Sequence, residues 1–444
     1  MRKVILMGAG GRDFHDFNVL FRADPETQVV AFTAAGPTLP ERYPPSLAGL
    51  LYPDGIPIRP EEELADLVRA EGVDEVLLAY SELSHEEVMH KASVALAAGA
   101  DFRLLGPRST MLAAEKPVVA VCAVRTGSGK SQTALRVGEI VLAAGLKVAF
   151  VTHPMPYGDL EAMRVQRFAS LEELDAAHPT VEEREEHEAP LAAGMVVYAG
   201  VDYGDVLEQA QAEADVIVWN GGNNDLPFFR PVLLIVVVDP LRAGHELKYH
   251  PGEANLRMAD VVVVSKIDSA DLPAIERVLA DVAAVNPSPT VIKATSPVTL
   301  DEGPSLHDQA VLVVEDGPTI IRGGLPYGAG TIAAQAAGAW MRVDPRPYAV
   351  GSIAETYRRY PHIGSVLPAM GYSDRQLHEL ERTINAAECD VVVSGTPVDL
   401  GRLIDSKHPI RHGTYELREL GTPTLADVLE PIVARVGSEL SVAP

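Results

Sequence analysis

The sequence predicts an α/β protein built on parallel sheets. In the first hundred residues, β-rich runs alternate with amphipathic helical patterns, which is typical of strands joined by helical crossovers. The runs cover 3–10, 28–35, 74–80 and 101–107, and the helical patterns cover 61–72 and 84–99. A second series of alternating strands and helices starts with the continuous apolar run 117–124, the pattern expected of a strand that is buried on both faces. A helical pattern at 132–145 and a strand at 147–153 complete a βαβ unit there.

Length and charge limit the architecture and the partners. A chain of 444 residues suggests two or three domains. Its net charge of −25 argues against nucleic acid and anionic membrane surfaces as partners. Cys122 and Cys389 are far apart and predict free thiols, and the N-terminus lacks a secretory pattern, so we expect a cytoplasmic protein.

The first strand leads into a glycine turn, Gly8 to Gly11, as a Rossmann-like domain would have. Asp13 stands where a dinucleotide-binding turn has its third glycine, and strand two ends without an acidic residue for a ribose. A dinucleotide site is therefore weakly supported. Arg12 and His15 could instead contact a small anion, and a structural turn is an equal alternative.

The stretch that follows the apolar strand 117–124 predicts a phosphate-binding loop. Glycines between a strand and a helix let backbone N–H groups wrap around phosphate at the helix N-terminus. The expected nucleotide-binding residues are Thr126, Gly127, Ser128, Gly129, Lys130, Ser131 and Gln132, and Arg125 and Lys130 are the expected catalytic residues of the loop. Lys130 would reach the β and γ phosphates, and Ser131 would ligate Mg²⁺. Val124 replaces the first glycine of the usual pattern, which mainly shapes the turn.

The metal-binding carboxylate is less evident. The strand 215–219 is followed by Asn220, where a P-loop protein usually has Asp. Asp159 and Asp225 are the preferred substitutes, with Asp239 as a further candidate, although each could equally cap a helix. The acidic segment 171–190, with Thr180 and Glu183 spaced as a capping box, predicts a solvated helix.

Two later segments add binding candidates. Lys266 and Asp268 follow a strand and resemble the base-reading motif of GTP-binding proteins, with Ser265 in place of its Asn. The glycine-rich stretch 313–331, with Arg322, predicts a second anion-binding loop, with a tight, packed turn as the alternative. Arg358 and Arg359 add positive charge in a Pro- and Gly-rich setting.

The motifs GAGGRDFHDFN, VRTGSGKSQT, VIVWNGGNNDLPF, DPLRAGHE, VVVVSKID and VVEDGPT together resemble those of the cyclic 2,3-diphosphoglycerate synthetase family, nearly end to end. The resemblance implies an ATP- and Mg²⁺-dependent enzyme that closes 2,3-diphosphoglycerate into a cyclic pyrophosphate. It implies a Rossmann-like domain (1–112), a P-loop NTPase α/β domain (113–300) and a C-terminal α/β region (301–444) packed on or continuing the NTPase sheet. The implied substrate-binding cations are Arg12, His15, Arg125, Arg322, Arg358 and Arg359.

Two alternatives remain open. One is a GTP-dependent switch or metallochaperone that reads guanine through Lys266 and Asp268. The other is an inactive relative that binds nucleotide without turnover, as Asn220 would permit. In each case a homodimer is the expected assembly.

Overall fold

A computed structural model describes residues 1–35, 40–154, 158–222, 225–303, 305–370 and 373–442. Within those residues the strands form three large sheets and one two-stranded ribbon, with helices between the strands. Most neighbouring strands are parallel, which confirms the predicted α/β class. None of the helices in the described part of the chain is long and apolar enough to cross a membrane.

The N-terminal sheet follows the predicted alternation closely. Its strands are β1 (Arg2–Met7), β2 (Thr27–Ala34), β3 (Arg42–Tyr43), β4 (Ile56–Pro60), β5 (Glu75–Leu78) and β7 (Asp101–Leu104). The strand between the last two, β6 (Leu83–Ser84), belongs to the two-stranded ribbon. The helices are α1 (Arg12–Leu20), α2 (Pro45–Ala48), α3 (Leu64–Glu71), α4 (His85–Ala98) and α5 (Pro107–Thr110). The sheet order is β3-β4-β2-β1-β5-β7, and only β3 is antiparallel to its neighbour. Local signals fix the ends of α4: Ser84 and Glu87 form a capping box, and Gly99 ends the helix in the left-handed region.

The central sheet is larger and carries the phosphate loop. Its strands in this part of the chain are β8 (Val118–Ala123), β9 (Val148–Thr152), β10 (Gln166–Phe168), β11 (Val196–Ala199), β12 (Val216–Gly221), β13 (Leu233–Val238), β15 (Val261–Val264) and β16 (Thr290–Thr295). The remaining strand, β14 (Tyr249–His250), pairs with β6 in the two-stranded ribbon. The helices are α6 (Lys130–Ala143), α7 (Leu171–Ala176), α8 (Val181–Ala192), α9 (Tyr203–Glu213), α10 (Gly252–Met258) and α11 (Leu272–Val285). Every residue of β8 is buried, because helices cover both faces of the sheet.

The C-terminal region forms a third sheet and then returns to the second. Its strands are β17 (Val298–Leu300), β18 (Ala310–Glu315), β19 (Met341–Arg342), β20 (Leu367–Pro368), β21 (Val391–Ser394), β22 (Ile410–Tyr415) and β23 (Arg418–Leu420). The helices are α12 (Gly317–Ile321), α13 (Ala329–Ala336), α14 (Gly351–Arg359), α15 (Asp374–Ala386) and α16 (Leu425–Val442). The third sheet has the order β17-β22-β21-β18-β19, with β20 also paired to β18.

The last two elements complete the central sheet. Its full order is β10-β11-β9-β12-β8-β13-β15-β16-β23, where β10 and β23 are the antiparallel edges. Leu425 and Leu429 of α16 are fully buried in the same hydrophobic core as Ala134 and Val137 of α6. The chain therefore leaves the central sheet after β16 and comes back, which holds the C-terminal sheet against the phosphate loop.

Candidate active site

The loop between β8 and α6 has the backbone of an anion site. Gly127 and Gly129 have φ values of +78° and +106°, and α6 begins at Lys130 without a side-chain cap. The first N–H groups of a helix have no partner inside the helix, and the helix dipole favours negative charge beside them. The loop therefore presents unpaired donors where phosphate would lie.

Three side chains hold the loop from behind. Arg242 donates to the carbonyl of Thr126 at 2.8 Å, Lys266 donates to that of Gly127, and Ser265 donates to that of Ser128 at 2.7 Å. In a trans peptide the C=O and the following N–H point in opposite directions. Fixing these carbonyls therefore turns the N–H groups of Gly127 and Gly129 away from the three side chains.

Arg242 is itself held by a buried ion pair. Its guanidinium lies 2.7 Å and 3.1 Å from one oxygen of Asp239, and both side chains are almost fully buried. Burial raises the pKa of Asp239, but the charges of Lys266 and Arg242 outweigh it, so the pKa lies below its usual value. Asp239 thus remains ionised and positions the loop rather than a metal ion.

The N-terminal sheet also reaches the loop, through Glu82. Its carboxylate accepts from the backbone N–H of Thr126 at 2.6 Å, from the Thr126 hydroxyl and from Arg125 at 3.0 Å. Arg125 lies over the ring of Tyr249 at 3.7 Å and is buried. Arg125 therefore holds Glu82 against the phosphate loop and lines neither chamber of the cleft, which corrects its predicted role in contacting substrate. Glu82 carried no sequence signal, because its partner lies 44 residues away.

Lys130 contacts Asn220, the residue that stands where a P-loop protein usually has Asp. Its Nζ donates to the backbone oxygen of Asn220 at 2.6 Å and to the side-chain Oδ1 at 2.9 Å. Burial lowers the pKa of Lys130, and the charges of Glu186 and Asp225 partly oppose that shift. Asn220 therefore positions the lysine without neutralising it.

A cleft of two adjoining chambers lies between the loop and the C-terminal sheet, with volumes of about 1040 Å³ and 740 Å³ including their open mouths. Together they have room for a nucleotide and a small acceptor. The first, here the acidic chamber, is lined by Lys130, Ser131, Glu182, Glu185, Glu186 and Arg322. The second, here the lysine chamber, is lined by Leu241, Lys266, Ser269, Ser296, Val298 and Tyr327. Gly127, Gly129, Gln132, Asp316, Thr319 and Tyr415 border both.

The acidic chamber is formed largely by α8. The predicted capping box is confirmed, since Thr180 and Glu183 bond each other's backbone N–H groups. The expectation of a solvated helix is wrong, because α8 buries Glu182 and directs further carboxylates at the phosphate loop. Burial raises the pKa of Glu185 well above its usual value and that of Glu186 to about 7. The acidic composition of α8 predicted that it faces solvent, and only its packing against α6 reveals the acidic chamber.

Several predicted residues lie outside this cleft. Asp159 is exposed and accepts from the N–H groups of 161 and 162, so it caps a turn and is withdrawn as a magnesium ligand. Arg358 and Arg359 are exposed at the end of α14 and line neither chamber, so they are withdrawn as substrate contacts. Asp268 accepts from the backbone N–H of Ser296 at 3.1 Å, which shapes the rim of the lysine chamber.

The N-terminal glycine turn is not built for a dinucleotide. The carboxylate of Asp13 accepts from the N–H groups of Gly10 and Gly11 at 2.9 Å and 3.2 Å, which consumes the donors a pyrophosphate would need. The ring of His15 stacks on Phe228 at 4.1 Å, and its Nε2 bonds the carbonyl of Thr110. Burial lowers the pKa of His15 to about 3, so His15 is a neutral packing residue and not an anion contact.

Gly127→Ala is expected to weaken nucleotide binding and to destabilise the fold. At φ +78° the backbone conformation of an L residue is less favourable by about 1–2 kcal/mol of free energy. The new Cβ would also lie 2.9 Å from the side chain of Thr319. We expect a roughly tenfold rise in the Kd for ATP, measured by calorimetry. Gly145→Ala is the matched control, because φ is +82° there but nothing lies within 4 Å of the added Cβ. An equal rise in Kd for both variants would contradict the role of the loop.

The fold and the loop define a P-loop NTPase-type α/β protein. No family model matches the chain. Arginine synthetase ArcE from Thermococcus kodakarensis is 56% identical to it over 431 residues, which cover 97% of this chain and 96% of the relative. The chain belongs to the family of this arginine synthetase.

Solved structures give weaker likenesses. LpxK from Aquifex aeolicus, solved with ATP, is 12% identical and covers 74% of this chain and 90% of its own, with a TM-score of 0.40. Cobyrinic acid a,c-diamide synthase from Mycobacterium smegmatis, solved with an ATP analogue and magnesium, is 19% identical over 43% of this chain and 76% of its own, with a TM-score of 0.19.

Proposed function

We propose that the protein is an ATP-dependent synthetase that makes arginine. The observation that carries the proposal is the acidic chamber beside Lys130, taken together with the relationship to an arginine synthetase. Arginine carries a guanidinium cation, and paired carboxylates bind guanidinium through charge-assisted hydrogen bonds. A cationic product is therefore matched to the carboxylates of α8.

The charge of the chamber also weighs against a polyanionic substrate. Of the six cations expected to bind 2,3-diphosphoglycerate, only Arg322 lines the cleft, and it lies 3.6 Å from Glu182. Three glutamates of α8 face the same space. A substrate with several phosphate charges would add to the charge of ATP beside these glutamates, which costs binding energy wherever they are ionised.

The chemistry follows from the difference between arginine and its ureido precursor, citrulline, which has oxygen in place of one nitrogen. The ureido oxygen attacks the γ-phosphorus of ATP, and ADP leaves. Ammonia then attacks the ureido carbon, which now bears the phosphorylated oxygen. Phosphate leaves with that oxygen. Citrulline, ATP and ammonia thus yield arginine, ADP and phosphate. Lys130 and the loop N–H groups stabilise the transferred phosphoryl group, and catalysis is mostly positioning and charge neutralisation.

The donors around the loop fit a magnesium ion. No group of three or more His, Cys, Asp or Glu side chains arranged for a metal occurs in the part of the chain that the structure describes. Mg²⁺ on a nucleotide needs only one or two protein oxygens beside the phosphates. The Ser131 hydroxyl and the Asp316 carboxylate, both lining the cleft, would hold it. The ion would neutralise phosphate charge during transfer.

The lysine chamber is the expected nucleoside site. Lys266 lies beside the loop and lines this chamber with Ser296 and Val298. Its stem can cover a base, but the exposed Asp268 is held by Ser296 and not directed to guanine. We therefore propose ATP over GTP, and a binding comparison of the two nucleotides tests the GTP-switch alternative.

Cyclic 2,3-diphosphoglycerate synthesis is the second candidate, supported by the motif resemblance. One assay separates the candidates: the purified protein is incubated with Mg·ATP and either citrulline with ammonium, or 2,3-diphosphoglycerate. We expect arginine, ADP and phosphate in the first mixture and no cyclic pyrophosphate by phosphorus NMR in the second. Cyclic product without arginine would reverse the assignment, and ATP hydrolysis alone in both would reject both.

Glu186 is expected to be the base that keeps ammonia unprotonated. Burial raises its pKa to about 7, and the charge of Lys130 only partly opposes that shift. A carboxyl group accepts a proton only above its pKa, so kcat should rise with pH through about 7. In Glu186→Gln that rise should vanish and kcat should fall about 100-fold. Glu188→Gln, on the same helix but outside the cleft lining, should keep the wild-type profile.

A further inference from the structure

A second group of charged side chains lies buried between the N-terminal glycine turn and the central sheet. It consists of Arg12, Asp16, His153 and Asp225, here the internal cluster. A Cβ on Gly11 or on Gly222 would come within 2.8 Å of the ring of His153. The turn after β1 and the ends of β9 and β12 therefore meet at this ring.

Six polar atoms of the cluster have no hydrogen-bond partner among the described residues. They are Nη1 and Nη2 of Arg12, both carboxylate oxygens of Asp16, Nε2 of His153 and Oδ1 of Asp225. Arg12 and Asp16 are only 5% and 0% exposed, and they form an ion pair of 3.4 Å through Nε of Arg12. Burying charges without hydrogen bonds costs several kcal/mol, so a polar ligand is expected to satisfy them.

The unpaired atoms indicate which ligand would fit. The planar fork of Arg12 suits a carboxylate, and the oxygens of Asp16 together with Oδ1 of Asp225 suit an ammonium group. Asp13 cannot serve, because its oxygens already accept from the turn N–H groups. A ligand with adjacent carboxylate and ammonium groups is an α-amino acid.

The charge balance agrees with such a ligand. Burial raises the pKa of Asp225 to about 8 and that of Asp16 to about 6, while the charge of Arg12 opposes both shifts. Burial lowers the pKa of His153 to about 3, so this ring adds no positive charge. Arg12 is therefore the one cation among these four side chains, and a bound ammonium group would favour the ionised form of Asp16 and Asp225, which a phosphate would oppose.

We propose that Arg12, Asp16 and Asp225 bind the α-carboxylate and α-ammonium groups of the amino-acid substrate. That the amino acid is citrulline rests on the function proposed above. The charge of Asp225 acts on Lys130, and Asn220, which binds Lys130, has its own Nδ2 buried with no hydrogen-bond partner in the described part of the chain. The ureido end would extend past Asn220 towards Lys130, where the γ-phosphate would lie.

The ligand side of the test uses the wild-type enzyme. Citrulline is compared with its α-carboxamide and with 5-ureidopentanoate, which lacks the α-amino group. Losing either charged contact should raise the KM about 10- to 100-fold, with the KM for ATP unchanged. Equal KM values for all three compounds would overturn the proposal.

The protein side uses Arg12→Gln, with Arg69→Gln as control because Arg69 forms an exposed pair with Asp66. Arg12→Gln should raise the KM for citrulline and should no longer distinguish citrulline from its amide, as coupling between the two partners requires. A merely structural role would preserve that discrimination and would overturn the proposal.

Failure of the proposed function gives a different result. If the wild-type enzyme makes no arginine, calorimetry with citrulline still tests the cluster. Binding that Arg12→Gln removes, with ATP affinity unchanged, would support the amino-acid site. Absence of citrulline and arginine binding would reject it.

Discussion

Replacing Lys130 by methionine is expected to reduce kcat for ATP-dependent synthesis by about 100- to 1000-fold or more. Lys130 is the one cation that both borders the acidic chamber and begins α6 at the phosphate loop. Its positive charge would neutralise the phosphoryl group in the transition state, and methionine keeps the stem without that charge. The measurement is the steady-state rate of ADP formation from Mg·ATP at saturating substrates.

The control for this variant is Lys147→Met, in an exposed position just before β9. It should retain wild-type kcat, because its side chain lies outside both chambers. The folding of both variants is compared by thermal unfolding. A Lys130→Met enzyme with more than a tenth of wild-type turnover would contradict the phosphate role of the loop.

Arg242→Met is expected to give the largest loss of stability, about 3 kcal/mol in the free energy of unfolding. The substitution leaves Asp239 buried with only Lys266, at 3.3 Å, as a cationic partner. It also removes the donors that hold Thr126 and Ser128. Urea unfolding gives the stability, and a higher Kd for ATP should accompany the loss.

Two comparisons make this result specific. Arg257→Met breaks an exposed pair with Glu253 and should change stability by no more than about 0.5 kcal/mol. Adding Asp239→Asn to Arg242→Met removes the unpaired charge and should restore part of the stability. An Arg242→Met protein as stable as Arg257→Met would show that the buried pair is not holding the loop.

Local signals predicted the elements well. The alternation before residue 107 matches β1, β2, α3, β5, α4 and β7 within a few residues, because each element carries its own periodicity and caps. The glycines that reach positive φ in the phosphate loop are a local signal of the same kind. Contacts from distant strands, such as that from Glu82 to Thr126, leave no pattern in either segment.

By itself, the sequence determined the α/β class, the phosphate loop and the boundaries of most elements, since backbone preferences and hydrophobic periodicity act over a few residues. Only the tertiary structure showed that acidic side chains surround Lys130. The acidic sequence of α8 is compatible both with a helix that faces solvent and with a helix that packs beside the phosphate loop. The tertiary structure also decided that Arg12 faces Asp16 inside the molecule while Arg358 faces solvent. Packing between sheets sets which charges are desolvated together, and the residue types alone do not carry that information.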